Sequence, residues 1–392
     1  MKAVVCGAGI AGLAIANRLA EAGWEVTLLE QAPGPRTTGY MIDFFGIGYD
    51  AAERMGWLPA LAARGYRVDE LRYHADTGRA TARLSYRRIA KALDDRVFSI
   101  MRPDLEAVLR ESLPPTVRQV FRSGVAGVED RPDGVLVTTT AGDELTADLL
   151  VGADGVHSTV RRLVFGPEQD YLRYLGFHTA AFTFRDEVVR AEVAGGVCLT
   201  DSRDRQIGLY GLRDGRVAAF TVHRAADPAL PESPAAAVRT EYAPLGWVAP
   251  EVLTHVPADS EVYYDQVAQI VMPRWTRGRV VLVGDAAHAV SLLAGQGASL
   301  AIGGAFVLAD RLTANPTVDI GLAEYERAFR PEVAVRQRVA LNAVRWFLPR
   351  TDTQLLLRRA ALRVARIPVF TRYVAGAVTG KASGLVVAAS KA

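Results

Sequence analysis

The sequence predicts an α/β fold in which a Rossmann-like parallel sheet carries an inserted β-sheet domain and closes on C-terminal helices. Three observations predict it. A glycine-rich strand-turn-helix fills residues 1–30, glycine–aspartate turns follow apolar strands at 149–155 and 278–285, and short β-like segments occupy 171–264. At 392 residues the chain is long for one domain, so two interleaved domains are expected.

Residues 2–6 read as a buried strand, and Gly7-Ala8-Gly9-Ile10-Ala11-Gly12 is a G-x-G-x-x-G run opening a helix to about residue 22. A second strand over 24–29 ends on Glu30. Gly7 permits the tight turn, Gly9 lets a pyrophosphate approach the backbone, and Gly12 lets the helix pack closely on the strand. The helix N-terminus adds free N–H groups and a positive dipole end, and Glu30 can accept hydrogen bonds from ribose hydroxyls. This context makes the stretch a Rossmann-type dinucleotide site, which by itself fits NAD as well as FAD. A secretory signal peptide, with Cys6 as a lipid attachment point, is the competing reading. Against it, three glycines interrupt the apolar run, and Asn17, Arg18 and Glu21 stand where cleavage would fall.

Composition narrows the class. Half the residues are hydrophobic and 23% are charged, as in a globular enzyme with a large core, and no apolar run reaches the length of a membrane span. Cys6 and Cys198 lie far apart without metal or redox spacing, so no metal site and a reduced, cytoplasmic setting are expected. The net charge of +3 comes without a basic cluster interleaved with aromatics, which argues against nucleic acid.

After Glu30, residues 31–36 form a breaker-rich loop, and Arg36 either reaches a phosphate or is simply solvated. Asp43, inside an apolar run, is either a ligand contact or a cap for a helix from about residue 49. Residues 68–99 read as strands. Arg102 stands at the entrance of a helix to about residue 113, with Pro103 and Asp104 suited to its first turn. A meander over 117–150 leads into Gly152-Ala153-Asp154-Gly155 and a Ser/Thr-capped helix. The β-rich stretch 171–264, interrupted by a helical segment over about 225–253, reads as a substrate sheet. His178, Tyr210 and His223 are its candidate lining residues, each equally at home in a core or rim. A strand over 278–283 then ends on Gly284-Asp285, and a second glycine loop, Gly295-Gln296-Gly297, opens a helix. His288 is read as a packing or capping residue. Long helices follow over 320–347 and 353–366. Arg358, Arg359, Arg363 and Arg366 make the second amphipathic, either covering the core or facing a membrane surface or partner.

Taken in order, Gly7-x-Gly9-x-x-Gly12 with Glu30, Gly152-Ala153-Asp154-Gly155, and Gly284-Asp285 with Gly295-Gln296-Gly297 resemble the single-component FAD-dependent aromatic hydroxylases. That is the para-hydroxybenzoate hydroxylase family of class A flavoprotein monooxygenases, including the tetracycline-inactivating enzymes. The resemblance spans about residues 1–345. It implies a discontinuous Rossmann-like FAD-binding domain (1–72, 97–170, 278–345), a substrate-binding β-sheet domain (73–96, 171–277) and a C-terminal helical segment (346–392). It implies FAD contacts from Gly7, Gly9, Ala11, Gly12, Glu30, Arg102, Gly284, Asp285, Gly295 and Gly297. Asp154 is implied for FAD and the reduced nicotinamide, and Asp43 for FAD in the tetracycline-degrading branch. The sequence departs from the family where two prolines usually follow Gly-Asp-Ala-Ala-His-x-x, here Ser291 and Leu292. It departs again at Ser299 (usually Asn) and at Gly303-Gly304, near a usual Asp.

The implied activity is hydroxylation of an aromatic or polyketide-like small molecule by NAD(P)H and O2, through a flavin C4a-hydroperoxide. NADPH or NADH acts as a transient reductant, which suits the lack of a second G-x-G-x-x-G. Because the flavin carries the chemistry, no catalytic side chain is assigned. An FAD-dependent reductase, dehydrogenase or Baeyer–Villiger oxygenase is the first alternative, and a non-catalytic FAD- or ligand-binding protein is an alternative of another class. A flavin-dependent halogenase is disfavoured by the absence of W-x-W-x-I-P.

Overall fold

In a computed structural model, residues 1–36, 38–291, 295–364 and 386 are described. The chain forms two large sheets that share one cavity. In the first, strand Lys2–Cys6 lies at the centre, flanked in parallel by Glu25–Glu30 and Leu149–Gly152. Arg118–Phe121 and Val280–Leu282 extend it in parallel, and the short antiparallel Thr276–Arg277 forms one edge. Its three adjoining strands Lys2–Cys6, Leu149–Gly152 and Val280–Leu282 are short and almost entirely apolar because both faces are covered. The helix Ile10–Glu21 packs against one face and is itself enclosed by the helices Gly297–Ala314 and Arg102–Glu111. The expected meander is a separate three-stranded sheet of Val125–Arg131, Gly134–Thr139 and Glu144–Ala147.

The second sheet has seven strands, in the order Tyr263–Ile270, Leu172–Phe184, Val217–Arg224, Arg205–Gly211, Gly196–Thr200, Glu70–His74, Ala80–Ser85. All pairs are antiparallel except Gly196–Thr200 with Glu70–His74. One face packs Ala180, Phe182 and Phe184 against the helices Pro234–Tyr242 and Ala249–Thr254, making a second core of its own. The opposite face looks toward the parallel sheet.

One expectation is corrected. The stretch read as strands over 68–99 contains a helix, Tyr86–Ala92, because Tyr86, Ile89, Ala90 and Leu93 recur at helical spacing. The strand after it, Val97–Met101, pairs with Met41–Phe45 in a two-stranded strap and joins neither large sheet. The C-terminal helix Asp352–Val364 covers the strand Ala80–Ser85 with a mixed face, in which the half-buried Leu355 and Leu362 flank two arginines. Arg358 and Arg359 both point inward onto the buried carboxylate of Asp201, each at 2.6 Å, while Leu356 and Leu357 stay exposed. Thr81 completes the cluster by donating to Asp201, so the basic side is an internal ion cluster between helix and sheet. Arg366 lies outside the described residues.

Candidate functional site: the cavity between the two sheets

Every glycine–acid turn picked out in the sequence lies at the carboxyl edge of the parallel sheet, where open α/β sheets bind ligands. The turns interlock through missing side chains. Gly7 adopts φ +102°, and a Cβ there would stand 2.5 Å from the Ala153 carbonyl oxygen. A Cβ on Gly12 would stand 1.7 Å from the Gly7 carbonyl oxygen, so helix and turn touch through backbone. Gly284 meets the Ala11 methyl group in the same way, at 2.7 Å. Gly9 differs: its missing side chain would meet only Glu106 Oε1, at 3.9 Å, so its backbone borders open space. No side chain caps the helix that starts there, nor the one that starts at Gly297. Both N-termini border the same cavity, a pair of donor-rich, positive ends suited to phosphate or a ring carbonyl.

The acids and the arginine stand around this space. Glu30 accepts from the N–H groups of Ala8 and Ala32, both at 2.8 Å, which fixes its carboxylate at the strand end. Asp154 caps the helix Thr159–Val164, accepting from Ser158 Oγ and from the Val160 N–H at 3.0 Å. Burial pushes the Asp154 and Asp285 carboxyls up; the cap hydrogen bonds oppose this at Asp154, and the Arg102 charge opposes it at Asp285. Arg102 enters its helix beside the cavity and binds the buried Glu106 at 3.1 Å. Burial works against its charge, and Tyr40, Glu106, Tyr263 and Asp285 outweigh that, keeping it a cation. Asp43 does not cap a helix. It accepts from Tyr86 Oη at 2.8 Å and Ser99 Oγ at 2.6 Å, and the next helix, Ile47–Arg54, begins after Gly46 instead.

The cavity holds about 1160 Å³ and is lined by Gly7, Gly9, Ala11, Glu30, Arg36, Asp43, Arg102, Asp154, Asp285, Gly295 and Gly297. Gly12 and Gly284 stand behind this wall, the first against the Gly7 backbone and the second against alanine methyl groups. The volume exceeds the roughly 300–1000 Å³ of a single drug-sized site, leaving room for a cofactor and a second molecule. Its far wall is the second sheet, through Thr179, Phe220, Tyr263 and Asp265, with Tyr40 between the walls. The Tyr40 ring lies 5.5 Å from Phe220 and 5.7 Å from Tyr263, an aromatic box. A smaller, open hollow of about 380 Å³ beside Arg274 and Arg277 carries none of these motif residues.

Of the residues expected to line the substrate sheet, two face away. His178 pairs with His223 across neighbouring strands, on the face that Ala180 and Phe182 turn to the helices. The period-2 alternation of a strand sends Thr179 to the cavity and His178 to the opposite side. There His178 Nδ1 meets Tyr264 Oη at 3.2 Å and His223 Nδ1 meets Tyr242 Oη at 3.0 Å. Burial lowers both histidines, His223 to about 4. Tyr210 faces the right way but lies beneath the strap, accepting a hydrogen bond from the Met41 N–H. His288 packs against Trp275 at 4.8 Å and Phe329 at 5.5 Å, and burial takes it down to about 4.

The residue that the sequence reading passed over is His157, three beyond Asp154. Its Nδ1 meets Glu168 at 3.0 Å and its Nε2 meets Asp265 at 3.2 Å, linking the Asp154 turn to the second sheet at the cavity wall. The Asp265 hydrogen bond, with Glu168 adding to it and burial opposing, pushes it up to about 9. The departures from the family pattern also acquire reasons. Ser291 adopts φ +94°, which a proline ring cannot reach. Gly303 and Gly304 sit against Ile47 and Phe329, where a Cβ would approach within 2.8 and 2.9 Å, so an Asp has no room at either. Leu292 lies outside the described residues.

Comparison with known proteins gives the family and the fold. Residues 1–335 match the family described as FAD binding domain. An uncharacterized protein of Mycobacterium tuberculosis, Rv1260, is 33% identical over 83% of this chain and 89% of its own. A flavin-dependent monooxygenase of Legionella longbeachae is 26% identical over 90% of this chain and 91% of its own. Among solved structures, the tetracycline destructase Tet(55) superposes with a TM-score of 0.80 at 25% identity, covering 96% of this chain and 97% of the other. HpxO of Klebsiella pneumoniae, complexed with FAD and uric acid, shares the fold with a TM-score of 0.78 at 22% identity, covering 96% of each chain.

Proposed function

The chain belongs to the FAD binding domain family of FAD-dependent monooxygenases, and from that membership we propose how its cavity is divided. FAD lies along the turns of the parallel sheet: adenosine ribose at Glu30, pyrophosphate at Gly9 and the free N-terminus of the helix Ile10–Glu21, ribityl chain between Arg102 and Asp285. The ring system reaches the N-terminus at Gly297. An aromatic or polyketide-like substrate occupies the other side, against Tyr40, Phe220, Tyr263 and Thr179. The observation that carries this reading is the single cavity. It has an open glycine backbone and two uncapped helix ends on one wall and an aromatic box on the other.

Bound FAD would supply the redox chemistry, relaying two electrons from NADPH or NADH to O2 so that one oxygen atom enters the substrate and the other leaves as water. The protein binds, orients and excludes water. Arg102 neutralises phosphate or ribityl oxygens while Glu106 holds its guanidinium in place. Asp285, kept close to Arg102, hydrogen-bonds a hydroxyl of the chain. The mutually tilted rings of Tyr40, Phe220 and Tyr263 offer faces and edges against which an aromatic substrate packs. Asp154 stays committed to its helix cap, and so orients the Gly155–His157 turn toward the entering nicotinamide. Among the described residues no helix is long and apolar enough to cross a membrane, and a cytoplasmic setting with small-molecule partners belongs to the same reading.

The test is turnover under 18O2 with NADPH and then NADH, across a panel of phenols and polyketides. One labelled oxygen in the product, with substrate-stimulated nicotinamide oxidation, is the expected result. Flavin reduction without label in any product supports the reductase alternative and overturns the monooxygenation of these substrates.

A further inference from the structure

On the helix-covered face of the antiparallel sheet, away from the cavity, Asp186, Glu251 and His255 bring three donor atoms within 4.8 Å of one another. Asp186 follows the strand Leu172–Phe184, and Glu251 and His255 stand four residues apart at the helix Ala249–Thr254. We propose that Asp186, Glu251 and His255 form a binding site for one zinc-class divalent cation, clasping the end of that strand to the helix.

The donor spacing is compatible with a metal. His255 Nε2 lies 3.2 Å from Asp186 Oδ2 and 3.3 Å from Glu251 Oε1. Without a cation, the first contact is a hydrogen bond at the long end of the N–H···O range, and the second leaves Glu251 beside the same nitrogen. Zinc bonds of about 2.0–2.1 Å at tetrahedral angles set the donor atoms roughly 3.3 Å apart. The donor types agree: one neutral imidazole and two carboxylates balance a doubly charged cation and leave the fourth position to water. The nitrogen donor favours zinc-class cations over calcium and magnesium, which prefer all-oxygen sites.

The set is also oriented. The imidazole stacks on Phe184 at 5.3 Å and 12°, which fixes its plane. Asp186 uses its other oxygen to cap the helix Glu187–Glu192, accepting from the Val189 N–H at 2.7 Å, and so turns Oδ2 toward His255. Supporting contacts of this kind hold ligands in metal sites. All three residues keep some exposure, with side-chain values of 15, 55 and 32% in chain order, which gives a cation a way in. The sequence reading expected no metal, because it sought one among the cysteines. The Glu251–His255 spacing of four was the available signal.

The experiment uses tag-free, flavin-loaded protein, stripped with chelator and titrated with ZnCl2. Thermal unfolding and the visible spectrum of the Co2+-substituted form are the readouts. One equivalent is expected to bind, with Tm rising on the order of 4 °C at a hundredfold excess over Kd. His255→Gln and Glu251→Gln should weaken zinc binding about 100-fold or more while keeping full flavin content. Asp186→Asn, which can still cap its helix, should weaken it while keeping full flavin content. No saturable binding, or equal stoichiometry in wild type and His255→Gln, overturns the proposal. So does a proton-only site, in which the Tm of wild type and His255→Gln diverges with pH while zinc has no effect.

Discussion

The parallel sheet around Lys2–Cys6 presents its chemistry at the ends of its strands, whereas the antiparallel sheet around Leu172–Phe184 presents its chemistry through one face. In the first, glycine turns from residues 7–12, 152–155 and 284–297 converge, with Gly7 against the Ala153 backbone and Gly284 against the Ala11 methyl group, and each is marked in the sequence by glycines and an acid. In the second, any residue of suitable chemistry is placed or wasted by a single step of register. Recognition at strand ends leaves motifs; recognition by a face leaves only alternation.

This contrast sets the sizes of mutational effects. Gly7→Val should be the most damaging change, combining a positive φ with a Cβ 2.5 Å from the Ala153 backbone. A loss above about 4 kcal/mol is expected, read as loss of soluble, yellow protein or as a collapse of the denaturation midpoint. On the other sheet, His178→Ala and His223→Ala should each cost about 1 kcal/mol, from one hydrogen bond to a tyrosine, and leave KM and kcat unchanged. A large KM effect in His178→Ala would mean that the sheet uses both faces.

The smallest effect sits on the contact that joins the two sheets. His157, pushed up to about 9, has a folded value above its ordinary one near 6.5. Its link to Asp265 therefore contributes stability that is fully present below about pH 6.5 and is lost as pH rises through 9. Thermal melts of wild type and His157→Gln should differ at pH 6 and converge above pH 9. On the acid side, His288 and His223 are held neutral near 4, so their contribution is present above about pH 6.5 and fades as pH falls toward 4.

How much could be read from the sequence follows the same division. Gly7, Gly9, Gly12, Glu30, Asp154 and Asp285 were legible because the turn geometry admits few residues. The helix Tyr86–Ala92 was missed because a short run of Arg, Ile, Ala and Lys satisfies strand and helix periods almost equally. His178 and His223 were selected by residue type, without knowledge of which neighbour the bulge between Tyr174 and His178 would turn inward. Phe220, Tyr263 and Asp265 carry no motif at all, and only the folded register brings them to Tyr40. The inward turn of Arg358 and Arg359 depended on Asp201, a partner more than 150 residues away.

The most direct measurement compares Arg102→Ala with Phe220→Leu, scoring bound FAD and substrate KM in each. Arg102→Ala strands the buried Glu106 carboxylate and removes a flavin contact, so it should lose FAD and about 3 kcal/mol of stability. Phe220→Leu should keep full FAD and raise KM about 3–10-fold, the size of one aromatic contact. Loss of FAD in Phe220→Leu comparable to that in Arg102→Ala would contradict a cavity divided between a flavin wall and a substrate wall.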